Sequence, residues 1–172
     1  TTDTEAQLLN TVVSAQSATS VDTYPELAAL LVQAQKVLNT AADQTVSPAL
    51  TTSDFSALGV TGVNAANLAV ILAAIRASAN DGSAVDTLAE IQALVTTTAT
   101  NYTNALNTIS AYAQNNSAVS PYTTPDLTTF AQAGVSGVDA NNLSAILSSL
   151  ASTPVTGSSV GTTAKIQTIV DA

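Results

Sequence analysis

The sequence predicts an all-α chain of tandem three-helix repeat units, each a long, a short and a medium helix, stacked as a small helical array. Three observations carry this reading. Gly59-Val60-Thr61-Gly62-Val63-Asn64 returns as Gly134-Val135-Ser136-Gly137-Val138-Asp139, a shift of 75 (134 − 59). Thr-x-x-Glu stands at 23–26 and again at 87–90, the pattern of a capping box, in which the glutamate reaches back to the cap. Apolar residues recur at steps of three and four through Leu27, Leu30, Leu31, Ala34 and Leu38, and through Leu88, Ile91, Val95, Tyr102, Leu106, Ile109 and Tyr112. Near-heptad spacing of this kind suits antiparallel helix packing.

The shift extends beyond the motif. Leu68 falls on Leu143, Ile71-Leu72 on Ile146-Leu147, Ile75 on Leu150, Val85 on Val160 and Ile91-Gln92 on Ile166-Gln167. Six of the seven glycines pair at the same shift (59/134, 62/137, 82/157). Glycine marks backbone that needs positive φ or close approach, so paired glycines predict paired backbone geometry. Self-similarity at a fixed period is the signature of a repeat architecture.

Taken in order, residues 1–20 read as one helix and a polar turn, with Ala6, Leu9 and Val13, joined by Leu8 and Val12, on its apolar face. Shifted by 62, Leu9 and Val13 fall on Ile71 and Ile75, so this helix reads as the last of a preceding repeat and the chain as starting inside a unit. Val21-Asp22-Thr23 opens the first whole unit and recurs as Val85-Asp86-Thr87 and, degraded, as Val160-Gly161-Thr162. Pro25 is tolerated in a first turn, whose amides have no intrahelical partner. Unbroken, 87–114 would be a helix about 40 Å long, although the Thr and Asn of 96–103 are poor helix formers. Val21 to Val46 is 25 positions and Val85 to Val119 is 34, so the second long helix carries nine extra residues (34 − 25). Nine is not a whole number of turns, and a strict insertion would rotate the stripe.

Val46-Ser47-Pro48 and Val119-Ser120-Pro121 are expected to close the long helices with an extended link. Short helices follow at Thr52–Leu58 and Thr124–Ala133, the latter with Pro125 at N1 and both with an inward phenylalanine, Phe55 or Phe130. Asp54 and Asp126 take the same first-turn place, a local shift of 72 (126 − 54). Gly59 and Gly134 are left-handed C′ residues onto which Val60 and Val135 pack back. Asn64 and Asp139 are N-caps of the medium helices, 65–79 and 140–152, with Val63/Leu68 and Val138/Leu143 as hydrophobic staples. Asn80-Asp81-Gly82 is a turn, and Ser152–Gly161 is a looser version of it. Thr162–Ala172 starts another copy of the long helix. The expected organisation is therefore 1–20 as the end of a preceding repeat, 21–82 and 83–157 as two units, and 158–172 as the start of a further one. A β-solenoid or sandwich is the alternative that Thr and Val content suggests, but caps, staples and three/four spacing agree on helix.

Composition narrows the function. Only 9% of the 172 residues are charged, against the usual quarter. Lys36, Arg76 and Lys165 face twelve acids, for a net charge of −9, and a surface of that sign repels nucleic acid and anionic lipid. The longest aliphatic run, Leu68 to Ile75, falls far short of a span of ~20 residues, so membrane insertion is not expected. No signal peptide opens the chain, and any secretion signal lies outside it or has been removed. Without cysteine the redox compartment is not legible.

Without His or Cys, the commonest bases, nucleophiles and soft metal ligands are missing. Two carboxylates could share acid–base work, but Asp22, Glu26, Asp54, Asp86, Glu90 and Asp126 all sit at helix starts, where caps and the macrodipole account for them. No catalytic, cofactor-binding or metal residue is expected, and the chain is read as not an enzyme. Asn80-Asp81-Gly82 and Asp139-Ala140-Asn141-Asn142 offer oxygens that calcium accepts. Neither matches an EF-hand loop or a glycine-rich nonapeptide, and a turn and a cap explain them better. Weak calcium binding at 80–86 is the one cofactor reading left. Phe55, Phe130, Tyr102 and Tyr112 belong to the core by their spacing, whereas Tyr24 and Tyr122 near element ends form the exposed pair. The Asn-x-Ser/Thr triplets at Asn101, Asn115 and Asn142 arise freely in an Asn/Thr-rich chain.

Asp-Phe-Ser-Ala-Leu-Gly-Val-Thr-Gly-Val-Asn-Ala-Ala-Asn-Leu (54–68), followed by Asp-Thr-Leu-Ala-Glu-Ile-Gln-Ala-Leu-Val (86–95), resembles the tandem helical repeats of very large bacterial secreted and surface proteins, adhesin-like and RTX-like. The resemblance covers nearly the whole chain, and the copy at 160–170 departs from it with Gly161 and Lys165 in place of the Asp and Glu. It implies an extracellular, repetitive, spacer or adhesive role, and it carries over no catalytic or ligand residue. The expected function is a stalk, spacer or filament-forming scaffold. The expected partners are neighbouring repeats, or copies of the chain joined head to tail through the helices at 4–16 and 162–172. The alternative is an adhesive module that recognises a host or surface protein or glycan through a helical face.

Overall fold

The computed structural model describes residues 3–115, 123–152 and 154–172. Val119-Ser120-Pro121 and Tyr122 lie outside the described residues. Among those described the chain is all-α, with eight α-helices and two short 3₁₀ turns. It divides into two compact units, Thr1–Ala99 and Thr100–Ala172. The first holds α1 (Asp3–Ala15), α2 (Tyr24–Ala41), α3 (Thr52–Ala57), α4 (Leu68–Arg76) and the head of α5 (Leu88–Gln114). The second holds the rest of α5, α6 (Leu127–Gln132), α7 (Leu143–Leu150), a 3₁₀ turn (Gly157–Val160) and α8 (Thr163–Val170).

The compact units are phased differently from the sequence period, and burial explains why. Val85, Ile91 and Val95, at the head of a long helix, are fully buried with Phe55, Leu58, Ile71 and Ile75 of the helices before it. Val160 and Ile166 are likewise buried with Phe130, Ala133 and Leu150. The head of the long helix that follows thus completes a core that the short and medium helices also share with the long helix before them. Each fully buried side chain of this size contributes about 1.5–3 kcal/mol.

The two ends of α2 and α5 show how the extra length is absorbed. Their first residues stand 64 apart (88 − 24), whereas the buried Leu30, Ala34 and Val37 of α2 match the buried Ala105, Ile109 and Tyr112 of α5 at 75 (105 − 30). The register of buried positions thus steps by eleven residues (75 − 64) between the head and the body of α5, and eleven residues make about three turns at 3.6 residues each. Three whole turns return the apolar positions to the same face of the helix. The count of nine rested on Val119, outside the described residues. Despite its threonines, α5 runs unbroken for 27 residues.

Several boundaries differ from expectation. In α1 the buried residues are Leu8 and Val12, with Leu9 and Val13 half-buried and Ala6 exposed. The end of α2 comes at Ala41, before Val46-Ser47-Pro48: Asp43 takes a left-handed φ of 53° and Gln44 N donates to Asn39 O at 2.9 Å. That 6→1 bond satisfies the last carbonyls, so no proline is needed to stop the helix. Ser47–Pro48 is a cis peptide. α6 begins after Asp126, its N-cap, which leaves Pro125 one residue outside the helix instead of at N1. The medium helices proper are 68–76 and 143–150, shorter than expected, because the residues after Asn64 and Asp139 form a separate turn first.

The glycine pair 82/157 does not share a backbone. Gly82 has φ +79°, while Gly157 opens a 3₁₀ turn and is absent from the left-handed set. Position 157 excludes a side chain for another reason: a Cβ would lie 2.9 Å from the Ser110 carbonyl oxygen.

Candidate functional site

The feature built most alike in both units is the surface on which a long-helix head docks. It starts at the short helix. Gly59 N donates to Ser56 O at 3.0 Å and Val60 N to Phe55 O at 2.9 Å, while Gly134 N reaches Ala131 O and Val135 N reaches Phe130 O, both at 3.0 Å. These are the paired bonds of a Schellman stop, which needs positive φ at C′, here +86° at Gly59 and +71° at Gly134.

The chain next turns through Gly62 and Gly137, and an amide side chain holds it there. Asn64 Oδ1 accepts from the amides of Ala66 (2.9 Å) and Asn67 (3.2 Å), and Asn67 Nδ2 donates to Gly62 O at 2.8 Å. Asp139 Oδ1 accepts from Asn141 (2.7 Å) and Asn142 (3.1 Å), and Asn142 Nδ2 donates to Gly137 O at 2.7 Å. The expected caps therefore do cap, one turn ahead of the helix proper.

On this surface the long-helix head is clamped by one glutamine. Gln92 Oε1 accepts from Thr61 N at 2.8 Å while its Nε2 donates to Thr61 O at 3.1 Å. Gln167 repeats the pair on Ser136, at 2.9 and 3.1 Å. A side-chain amide here takes both main-chain bonds of one residue, as a neighbouring strand would. Val95 and Val170 flank the clamps, each 3.9 Å from where a Cβ on Gly62 or Gly137 would stand. The 75-residue correspondence of Gln92 and Gln167 was visible in the sequence, but their role was not. The available signal was an amide held at fixed distance from a changeable partner, Thr61 or Ser136.

The acidic residues sit largely where sequence placed them. Glu26 Oε2 accepts from the amide and hydroxyl of Thr23 (3.1 and 2.7 Å), and Glu90 Oε2 from those of Thr87 (3.1 and 2.9 Å). These hydroxyl bonds hold both carboxyls below their ordinary pKa. Asp86 is raised instead, by burial first and then by the neighbouring Glu90, and it accepts from Gln7 Nε2 at 3.0 Å.

Asp54 and Asp126 do not take equivalent places. Thr51 caps α3 with Asp54 at N3, whereas Asp126 itself caps α6 with Thr129 at N3. The shift is 75 here too (126 − 51), and the box has exchanged its two members. Burial pushes Asp54 up, but the Thr51 hydroxyl and amide and the Lys36 ammonium outweigh it and leave the carboxyl below its ordinary value. The Lys36 Nζ–Asp54 Oδ1 ion pair, 3.1 Å long and nearly buried, was not anticipated from sequence.

The calcium-type oxygens are engaged as turns. Asp81 Oδ1 accepts from Ser83 N at 3.0 Å. The 80–82 turn lines a pocket of about 170 Å³ with Thr4, Glu5, Leu38, Asn39 and Ala42. A second, open groove of about 550 Å³ runs along Thr11, Gly59, Thr87, Leu88, Ala89 and Gln92, at the edge of the first docking surface. Phe55, Phe130, Tyr102 and Tyr112 are buried, and Tyr24 is 85% exposed.

Fold and site together define an all-α chain whose best-reproduced structure is a helix-docking surface. No family model, curated protein or solved structure matches the chain.

Proposed function

We propose that the chain is a structural segment of an extracellular bacterial surface protein, made of tandem three-helix repeats that stack through the docking surface just described. One observation supports this above others: the same six contacts (two Schellman bonds, the amide tie to the glycine carbonyl, the two clamp bonds and the valine over the glycine) recur 75 residues apart. A surface kept at that detail while its partners change from Thr61 to Ser136 and Asn64 to Asp139 is conserved as geometry, and geometry is what a spacer or scaffold transmits. In this reading the chain is not an enzyme and uses no cofactor, and its partners are neighbouring repeats or copies of itself. The resemblance to repeats of giant bacterial secreted proteins supports the extracellular placement.

The test is to label intact native cells with an antibody raised against the chain, and to image the assembly. Surface label on extended structures is the expected outcome; label confined to permeabilised cells would overturn the placement. A second reading, an adhesive module for a protein or glycan, is favoured by one observation, the almost fully exposed ring of Tyr24. Glycan-array binding abolished by Tyr24→Ala would select it.

A further inference from the structure

We propose that the apolar stripe Tyr24, Leu27 and Leu31 on α2 is a docking face for another copy of the chain, and that it seats on that copy's short helix, glycine turn and medium helix. The proposal rests on the tandem-repeat reading and names the surface through which such repeats join.

α2 and α5 open with the same capping box and the same bonds, Thr23 to Glu26 and Thr87 to Glu90. Counted from those caps, Tyr24, Leu27 and Leu31 stand where Leu88, Ile91 and Val95 stand (88 − 24 = 91 − 27 = 95 − 31 = 64). Ile91 and Val95 are fully buried, and Leu88 Cδ2 lies 4.0 Å from the Cβ position of Gly59. α8 offers the third case, with Ile166 fully buried and Val170 against Gly137. Two of three long-helix heads are thus covered by one kind of backbone surface. The third is not: Tyr24 is 85% exposed and Leu27 38%.

α2 buries a different face in its own unit, through Leu30, Ala34, Val37 and Ala41. The stripe itself carries no charge, and the carboxylate of Glu26 beside it is turned back onto Thr23. Ala28 stands where Gln92 stands (92 − 64), so this docking lacks the glutamine clamp and is held by apolar burial alone. Both acceptor surfaces of the chain are filled by its own α5 and α8. Docking between copies therefore requires α8 to give way.

The test uses the full chain. It contains no tryptophan, so Tyr24→Trp places a lone reporter on the stripe. Ile166→Asp with Val170→Asp loosens α8 and opens the second acceptor. The opened reporter chain should sediment as concentration-dependent oligomers with blue-shifted emission, and the unopened reporter as a monomer with the emission of exposed indole. Adding Leu27→Asp and Leu31→Asp should restore the monomer. Oligomers that survive those two aspartates, or an opened chain that keeps its helical signal and stays monomeric, would overturn the proposal. So would a glycan or host protein that the wild-type chain binds through Leu27 and Leu31. If the aspartates abolish helical signal, Gln167→Ala with Val170→Ala opens the acceptor more gently and is scored the same way. A synthetic peptide of residues 158–172 separates the two levels. If it binds the opened chain while α2 does not, only this proposal fails; if it does not bind, the repeat reading itself fails.

Discussion

The short helices α3 and α6 make the same turn with opposite chemistry. In α3 the cap is a hydroxyl and the N3 residue a carboxylate, so Asp54 points back at Thr51 and is met by Lys36 from α2. In α6 the cap is the carboxylate and N3 the hydroxyl, so Asp126 Oδ1 takes the Thr129 amide and hydroxyl, both at 2.7 Å, with no lysine involved. Where α2 has Lys36, the shift of 75 puts Ala111 (36 + 75). Asp54 is nearly buried and meets a lysine, whereas Asp126 is exposed and meets only the Thr129 amide and hydroxyl. What the two units hold constant is the set of satisfied amides and the buried ring; the polarity that achieves it is free to drift.

Replacing the rings gives the largest effect. Phe55→Ala and Phe130→Ala each empty a fully buried position and are expected to cost about 3–5 kcal/mol in urea unfolding. Unequal losses would show that one unit repacks around its cavity better than the other. Lys36→Ala comes next, at about 1–3 kcal/mol, because it leaves a nearly buried carboxylate short of a partner. Ala111→Ser, at the matching place on α5, should change stability little, and a comparable loss there would break the contrast.

Glycine provides a sharper test. Gly157→Asn is expected to lose about 1–3 kcal/mol by overpacking against Ser110, whereas Gly82→Asn keeps a residue type that accepts positive φ and meets only the Leu38 methyl. Equal losses in thermal melts would mean the two turns are alike after all. Gln92→Ala and Gln167→Ala should each cost about 1 kcal/mol, the net worth of a typical exchange of hydrogen bonds, and by similar amounts if the clamps are equivalent.

Acid gives the smallest effect. Glu26, Glu90, Asp54 and Asp126 have folded pKa values below their ordinary 4.5 and 3.8. A depressed folded pKa means stability that is complete above the ordinary value and lost as pH falls through the folded one. Asp86, raised by burial, has the opposite sign and offsets a part. Melting temperature should therefore hold steady above about pH 5 and fall below about pH 4; a rise on acidification would reverse the assignment.

Much of this fold could be read from sequence because its signals are local. Capping boxes, Schellman glycines and the three/four stripe each depend on residues within one or two turns, and Thr23, Gly59 and Phe55 sit where their neighbours put them. What escaped depended on distance. Gln92 carries no local sign of its clamp because its partner, Thr61, is 31 residues away. Lys36 and Asp54 are 18 apart on different helices. The pairing of Asp54 with Asp126 failed for a different reason: it matched like residues, while the fold matched the hydrogen-bonded role. The 82/157 pair failed similarly, since a glycine records that a side chain is unwelcome without recording which constraint forbids it.

The eleven-residue step in burial register between α2 and α5 implies a ruler. A helix that must return its greasy edge to one side can lengthen or shorten only by near-integral numbers of turns, of which eleven residues, about 16 Å, is an early good fit. Natural variants of this chain should differ in that rod by such quanta, and intermediate lengths should be missing.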